Sequence, residues 1–250
     1  MRPILVEEIP KIVNVIYNPN PISIPSHQRS LHENHWREQY NINPHLQNGD
    51  VFTITDVHHD PNELNILVSK TDYKHYLYTL HNITSDIFPC KVVYTCSSVI
   101  TNDNYIVIGR MSDKTSTPNR LQFSGGGLNF SDIEGTRFNL ERNIGKEILE
   151  EMGIDINSSY TKSFIPKYVK QKGSHDFWAV MFELRLELSS DELKNIFNEH
   201  INQIIINKEY PEFDKLIYVH LDKVEVHKFI KNDASPKVDY LIPILKYVDN

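Results

Sequence analysis

Two dense apolar runs, KVVYTCSSVI and YIVIGR, are separated only by TNDN in residues 91–110. Short apolar runs joined by a polar turn are the pattern of strands buried in a sheet. Upstream, residues 51–57 and 64–69 are strand-like, and the turn HHDPNE between them makes a β-hairpin. Residues 177–188 and 215–221 are further strands. Helical patterns interleave with these, at residues 31–40, 71–80, 140–152 and 238–248. A capping-box start, Ser189 or Ser190 ahead of Asp191 and Glu192, opens another at 189–201. Residues 18–30, rich in Pro, Ser and Asn, are expected to be irregular, and 129–138 to be a loop. Without regular βαβ units, this interleaving predicts an α+β chain with a mixed sheet between helices.

At 250 residues there is room for one large domain or two small ones. The formal net charge is −7 and no basic block runs along the chain. That argues against an extended nucleic-acid surface, which needs clustered Lys and Arg. A small polyphosphate ligand stays compatible, provided a metal ion offsets the carboxylates. No apolar run approaches the ~20 residues that span a bilayer, so no membrane partner is expected. The N-terminal MRPILVEEIPKIV carries acids and prolines where a signal peptide would be apolar. Cys90 and Cys96 are too few for a zinc site or a disulfide framework. A cytoplasmic, reduced protein is the expectation.

The stretch KEILEEMGI, residues 146–154, gathers Glu147, Glu150 and Glu151 near the end of a helix stopped by Gly153. At 100° per residue the three carboxylates share one face, beside the apolar face of Ile144, Ile148 and Met152. Like charges at i, i+4 repel, and the helix C-terminus disfavours them further. The plain reading is a solvated acidic face. The arrangement becomes favourable if a hard divalent cation binds, since Mg²⁺ prefers oxygen ligands. Upstream, SGGGLNF supplies glycines through which backbone approaches a ligand closely.

Glycine-rich segment, loop, then a helix ending in EExG resembles the Nudix hydrolase signature, G-x5-E-x7-R-E-U-x-E-E-x-G-U, with U a bulky apolar residue. The second half matches at every fixed position except Lys146, which stands where the pattern has Arg. Gly126 lies 20 positions before Lys146, six more than the pattern's spacing, so a six-residue insertion in residues 131–141 is inferred. The early signature glutamate would be Glu134 or Glu141. Lysine lacks the bidentate fork by which the family's arginine orients the carboxylates. The layout around Trp36, residues 45–54 and 70–77 and Arg110 resembles the nucleotide-sugar, UDP-glucose-type diphosphatase branch.

The resemblance implies an α/β/α sandwich at 89–250, with residues 1–88 as an extension that contains the β-hairpin, packs on the core and shapes the substrate pocket. It implies Mg²⁺ or Mn²⁺ held by Glu147, Glu150, Glu151 and the Gly125 carbonyl. The reaction would cleave the pyrophosphate of a UDP-sugar into UMP and sugar 1-phosphate. ADP-ribose, dinucleotides and nucleoside triphosphates are alternative substrates, and a non-catalytic ligand-binding domain is the rival of a different class. Lys146 would substitute for the orienting arginine. Glu212 is the candidate general base, with Glu209 and Asp214 as neighbours. Arg110 would clamp a phosphate, and Gly126 would let substrate approach. A homodimer is left open. Weaker features are His58-His59-Asp60, read as a solvated turn, and Ser174-His175-Asp176, whose residues are too close in sequence to form a triad. Trp36, Tyr73 and Tyr76 are read either as core or as rings that stack on a base or sugar.

Overall fold

The computed structural model describes residues 3–82 and 88–248. Residues 1–2, 83–87 and 249–250 of the two expected segments lie outside the described residues. In chain order the elements are β1 (Ile4–Glu8), β2 (Ile12–Asn18), α1 (Ser26–Ile42), β3 (Asp50–His59), β4 (Glu63–Asp72), α2 (Tyr73–His81), β5 (Val93–Ile100) and β6 (Tyr105–Met111). Then come β7 (Leu121–Gln122), β8 (Ser124–Gly127), a single 3₁₀ turn (Phe130–Asp132), β9 (Ile133–Glu134), β10 (Arg137–Phe138) and α3 (Leu140–Met152). The remainder is β11 (Thr161–Lys172), β12 (Trp178–Leu186), α4 (Ser190–Ile206), β13 (Phe213–His220), α5 (Lys223–Asn232) and α6 (Leu241–Val248).

Among the described residues these strands form two mixed sheets. The larger runs β1-β11-β12-β5-β6-β13, with β7 on β6 and β8 on β5. Only β12 and β5 pair in parallel in it. The smaller runs β3-β4-β2-β10-β9 and contains the expected β3–β4 hairpin. Period-two alternation sends the strands' side chains to two cores. Val99, Val107, Val180 and Leu184 face α3 and α4, with Ile144, Ile148, Leu193 and Phe197. Ile100, Ile106, Ile108 and Met181 face α5 and α6, with Val226, Leu241 and Ile244. The large sheet therefore lies between helices, as an α/β/α sandwich. Val15, Phe52, Leu64, Ile66 and Val68 of the smaller sheet join the α3-side core. Ile144 and Ile148 are fully buried, each contributing about 1.5–3 kcal/mol of transfer free energy.

Several expectations are corrected. Helix α1 begins at Ser26, inside the segment expected to be irregular, and Pro25 stands at its N-cap position. The 129–138 loop folds into the 3₁₀ turn and the β9–β10 hairpin. The glycines of SGGG lie in a strand, paired with Tyr94, Thr95 and Cys96, rather than in a loop. Helix α6 starts at Leu241, not at residue 238. Strands β1, β2 and β11 and helix α5 have no counterpart in the sequence reading. In β11, Pro166, Lys167 and Lys170 interrupt the apolar pattern that would have shown it.

Candidate functional site

Helix α3 is tightly specified at both ends. The Asn139 side chain accepts the Arg142 N–H at its start, and Gly153 closes it at φ 72°, in the left-handed region. Burial of Ile144, Ile148 and Met152 fixes its rotation and turns Glu147 and Glu151 toward β8. The contact needs glycine there. A Cβ at Gly125 would overlap the Thr95 carbonyl oxygen and the Cys96 backbone, and one at Gly126 would overlap the Glu147 carboxyl group. The two carboxylates thus sit on consecutive glycines of one strand.

Glu151 is 3% exposed; its Oε2 accepts the Gly125 N–H at 3.1 Å, while Oε1 is buried with no hydrogen-bond partner. Burial, then the charge of Glu212, pushes its carboxyl well above the usual range. Glu147 is pushed up to about 7, first by burial, then by Glu150 and Glu212, with Lys146 opposing. Glu150 is exposed on the same face. Glu212 stands on the exposed rim; crowding around its carboxyl raises its pKa, Arg120 opposes the rise and Glu150 adds to it.

Lys146 pairs with Asp132 at 2.5 Å. Asp132 is fully buried. Its Oδ2 accepts Asn143 Nδ2 at 2.8 Å and the Asn129 N–H at 3.1 Å. Asn143 also donates to the Gly127 carbonyl at 3.0 Å and accepts from the Thr95 hydroxyl. This network fastens α3 to β5, β8 and the 3₁₀ turn. The two residues offered as the early signature acid lie elsewhere. Glu134 accepts from Arg142 at 2.8 Å, and Glu141 is exposed in the first turn of α3.

Asp132 was not singled out from sequence, yet a signal was present. It lies six positions after Gly126, the pattern's glycine-to-acid spacing, with Asp in place of Glu. The six additional residues then fall after it, as residues 133–138, and these are the β9–β10 hairpin. That hairpin joins the smaller sheet through Arg137 opposite Ile16.

A cavity of about 640 Å³ opens beside the glycines, within the range of small-molecule sites. Gly125, Gly126 and Glu212 line it, and Glu147 and Glu151 of α3 sit against those two glycines without lining it themselves. Tyr73, Tyr76 and Leu80 of α2 wall it together with His175 and Phe177. Tyr76 stacks on Phe177 at 5.7 Å and His175 on Phe177 at 5.2 Å between ring centroids. Trp36 packs on Tyr40 and Tyr73, outside the lining.

Arg110 does not line the cavity. Its Nε and Nη2 are held by Asp214 at 2.8 and 3.1 Å across the β6–β13 pair, which occupies both residues. Arg120, not singled out from sequence, is on the lining. Glu209 is exposed beyond α4. His58 lies 3.5 Å from Asp60 with both side chains open to solvent. Asp176 pairs with Lys91 at 2.6 Å and His175 with the Leu80 carbonyl, so the Ser174–Asp176 run makes no triad.

Among the described residues no three His, Cys, Asp or Glu side chains already form a group that could hold a metal ion. The donor chemistry nevertheless fits a hard cation. Glu151 presents a buried oxygen with no partner, and two neighbouring acids are displaced toward the protonated form that a bound cation would reverse. No helix among the described residues is long and apolar enough to cross a membrane.

No family model matches the chain, and no curated protein matches it. Solved structures do match in part. DR0079 from Deinococcus radiodurans is 16% identical, covering 64% of this chain and 83% of its own, at a TM-score of 0.43. The MutT protein from Methanosarcina mazei Go1 is 12% identical, covering 64% and 93%, at 0.36. The NUDIX domain of Shewanella oneidensis NrtR, solved with ADP ribose, is 9% identical, covering 68% and 93%, at 0.37.

Proposed function

We propose that this chain is a Nudix-type pyrophosphohydrolase that cleaves a nucleoside diphosphate linked to another moiety, with a UDP-sugar as the favoured substrate. The observation that carries the reading is the seating of Glu147 on Gly126 and Glu151 on Gly125, at the edge of a cavity that also holds Glu212. A solvated acidic face has no reason to bury two of its carboxylates against backbone.

Glu147, Glu150, Glu151 and the Gly125 carbonyl would hold Mg²⁺ or Mn²⁺. When bound, such an ion neutralises the diphosphate and lowers the pKa of the attacking water. The chain's own residues supply the rest. Glu212, its pKa raised above the usual carboxylate range by burial, takes the proton from water as the oxygen attacks phosphorus. The bridging P–O bond breaks, and the two products are UMP and sugar 1-phosphate. Lys146, through Asp132 and Asn143, holds α3 against the glycine strand. The extension, residues 1–88, contributes Asp50, Phe52, Tyr73 and Tyr76 to the cavity, where rings would cover a base or sugar.

The test is a hydrolysis screen of UDP-glucose, other nucleotide sugars, ADP-ribose, dinucleotides and triphosphates in Mg²⁺ or Mn²⁺, with EDTA controls. Metal-dependent cleavage that Glu151→Gln abolishes supports the proposal and names the substrate. A folded protein silent across the panel overturns it in favour of a ligand-binding domain.

A further inference from the structure

We propose that Arg120 and Thr117, in the turn between β6 and β7, form the donor corner that grips the anionic diphosphate of the ligand. This rests on the reading of the cavity as a nucleotide site. Three cations line the cavity, and two are already engaged. Lys170 pairs with Asp239 at 3.2 Å, and Lys237 with Asp233 at 2.8 Å and with two carbonyl oxygens. Arg120 differs. Its Nη2 donates to the Gln122 amide oxygen at 2.7 Å, a neutral acceptor, and its Nε is buried with no hydrogen-bond partner. The Thr117 hydroxyl, on the same turn and the same lining, is likewise buried with no partner. Leaving such donors unmet is costly unless something fills them.

Position adds to the argument. Arg120 acts electrostatically on Glu212 at the acidic edge and on Tyr76 in the aromatic wall. All three line the same cavity. A ligand with its reacting phosphorus beside the glutamates and its ring on the tyrosines would place its second phosphate there. The Arg120 guanidinium, with its Nε unpartnered and its Nη2 on a neutral amide that a phosphate oxygen could displace, keeps donors for an anion. The cation expected from sequence in this role, Arg110, is saturated by Asp214.

The test measures binding of α,β-methylene-UDP, a diphosphate that resists cleavage, by calorimetry in magnesium buffer. Arg120→Gln should weaken binding at least about 10-fold, since a charge-assisted pair is lost. Arg120→Lys should fall between, keeping charge without the fork. Thr117→Val should weaken it about 3-fold or more, the scale of one neutral hydrogen bond, while Arg110→Gln stays within 2-fold of the parent. Melting curves establish that each variant is folded, and Thr117→Ser, which keeps the hydroxyl, should restore binding. Absence of binding by the parent protein, or equal Kd values for the Arg110 and Arg120 variants, overturns the inference. Because nothing is cleaved, these outcomes are separate from the hydrolysis screen. A chain that binds through Arg120 and hydrolyses nothing would lose the enzyme reading alone.

Discussion

The Glu147 carboxyl group occupies the space that a side chain at Gly126 would fill. Gly126→Ala must therefore displace Glu147 or separate α3 from β8. It is expected to reduce kcat about 100-fold or more, as misplacing a positioned group does, and to cost about 1–3 kcal/mol by overpacking. Gly127→Ala, with nothing within 4 Å of the added methyl, should stay within about 0.5 kcal/mol of the parent. Steady-state kinetics and urea melts measure both. Equal behaviour of the two variants would show that the close contact is not maintained.

Asp132 and Lys146 form an unequal pair. The aspartate is wholly buried, and the lysine side chain is 41% exposed. Asp132→Ala leaves Lys146, the Asn143 amide and the Asn129 N–H without their acceptor, and should cost about 3–5 kcal/mol. Lys146→Met leaves Asp132 two of its donors and should cost less. Denaturant melts give the order, and a costlier Lys146 variant would contradict the network as described.

Acid should loosen the contact between α1 and α2. His32 and His75 stack at 4.7 Å between ring centroids, with Tyr78 against His32. Burial first, then His75, holds His32 down at about 4, while Asp72 and Glu33 oppose and Lys74 assists. His75 is lowered too, chiefly by burial. The unfolded chain takes up protons near pH 6.5 that the folded chain refuses. The stabilising contribution is thus complete above about 6.5 and is lost as pH falls toward about 4. The raised glutamates act in the opposite sense, so the informative quantity is the difference between parent and His32→Phe. The variant's melting temperature should fall less steeply over that window. Parallel curves would sink the assignment.

Cation binding should be visible without turnover. If Mg²⁺ reaches about 100 times its Kd, it should stabilise the fold by about 2.7 kcal/mol. Chelation with EDTA should remove that gain, and so should Glu151→Gln. Since Glu147 protonates near 7, the magnesium-dependent rise in melting temperature should shrink as pH falls below neutrality. A rise of the same size in Glu151→Gln would place the cation elsewhere.

What the sequence revealed and what it hid follow from where the information lies. Helices α3 and α4 were readable because their stops and starts are local. Gly153 ends one, and the Ser189–Glu192 capping box begins the other. The β3–β4 and β5–β6 hairpins were readable for the same reason. Strand β11 was not, because Lys167 and Lys170 break its apolar pattern and meet Glu183 and Asp239 only in the folded sheet. The seating of the glutamates on glycine was half legible. The motif was present, but reading Asp132 as the early acid required accepting Asp for Glu and moving the insertion beyond it. Arg110 against Arg120 could not be decided locally. The choice depends on β13 lying beside β6 so that Asp214 reaches Arg110.

Strand β1 pairs with β11 so that Glu8 lies opposite Tyr168. During synthesis β1 leaves the ribosome about 160 residues before its partner. At an elongation rate of about 5–20 residues per second, that is a wait of roughly ten to thirty seconds. Closing so long a loop costs about 4–5 kcal/mol in chain entropy, and it is recovered only after β11 has docked on β12. Strand β1 therefore pairs late in folding although it is made well before β11, and until then both of its edges are open to other strands.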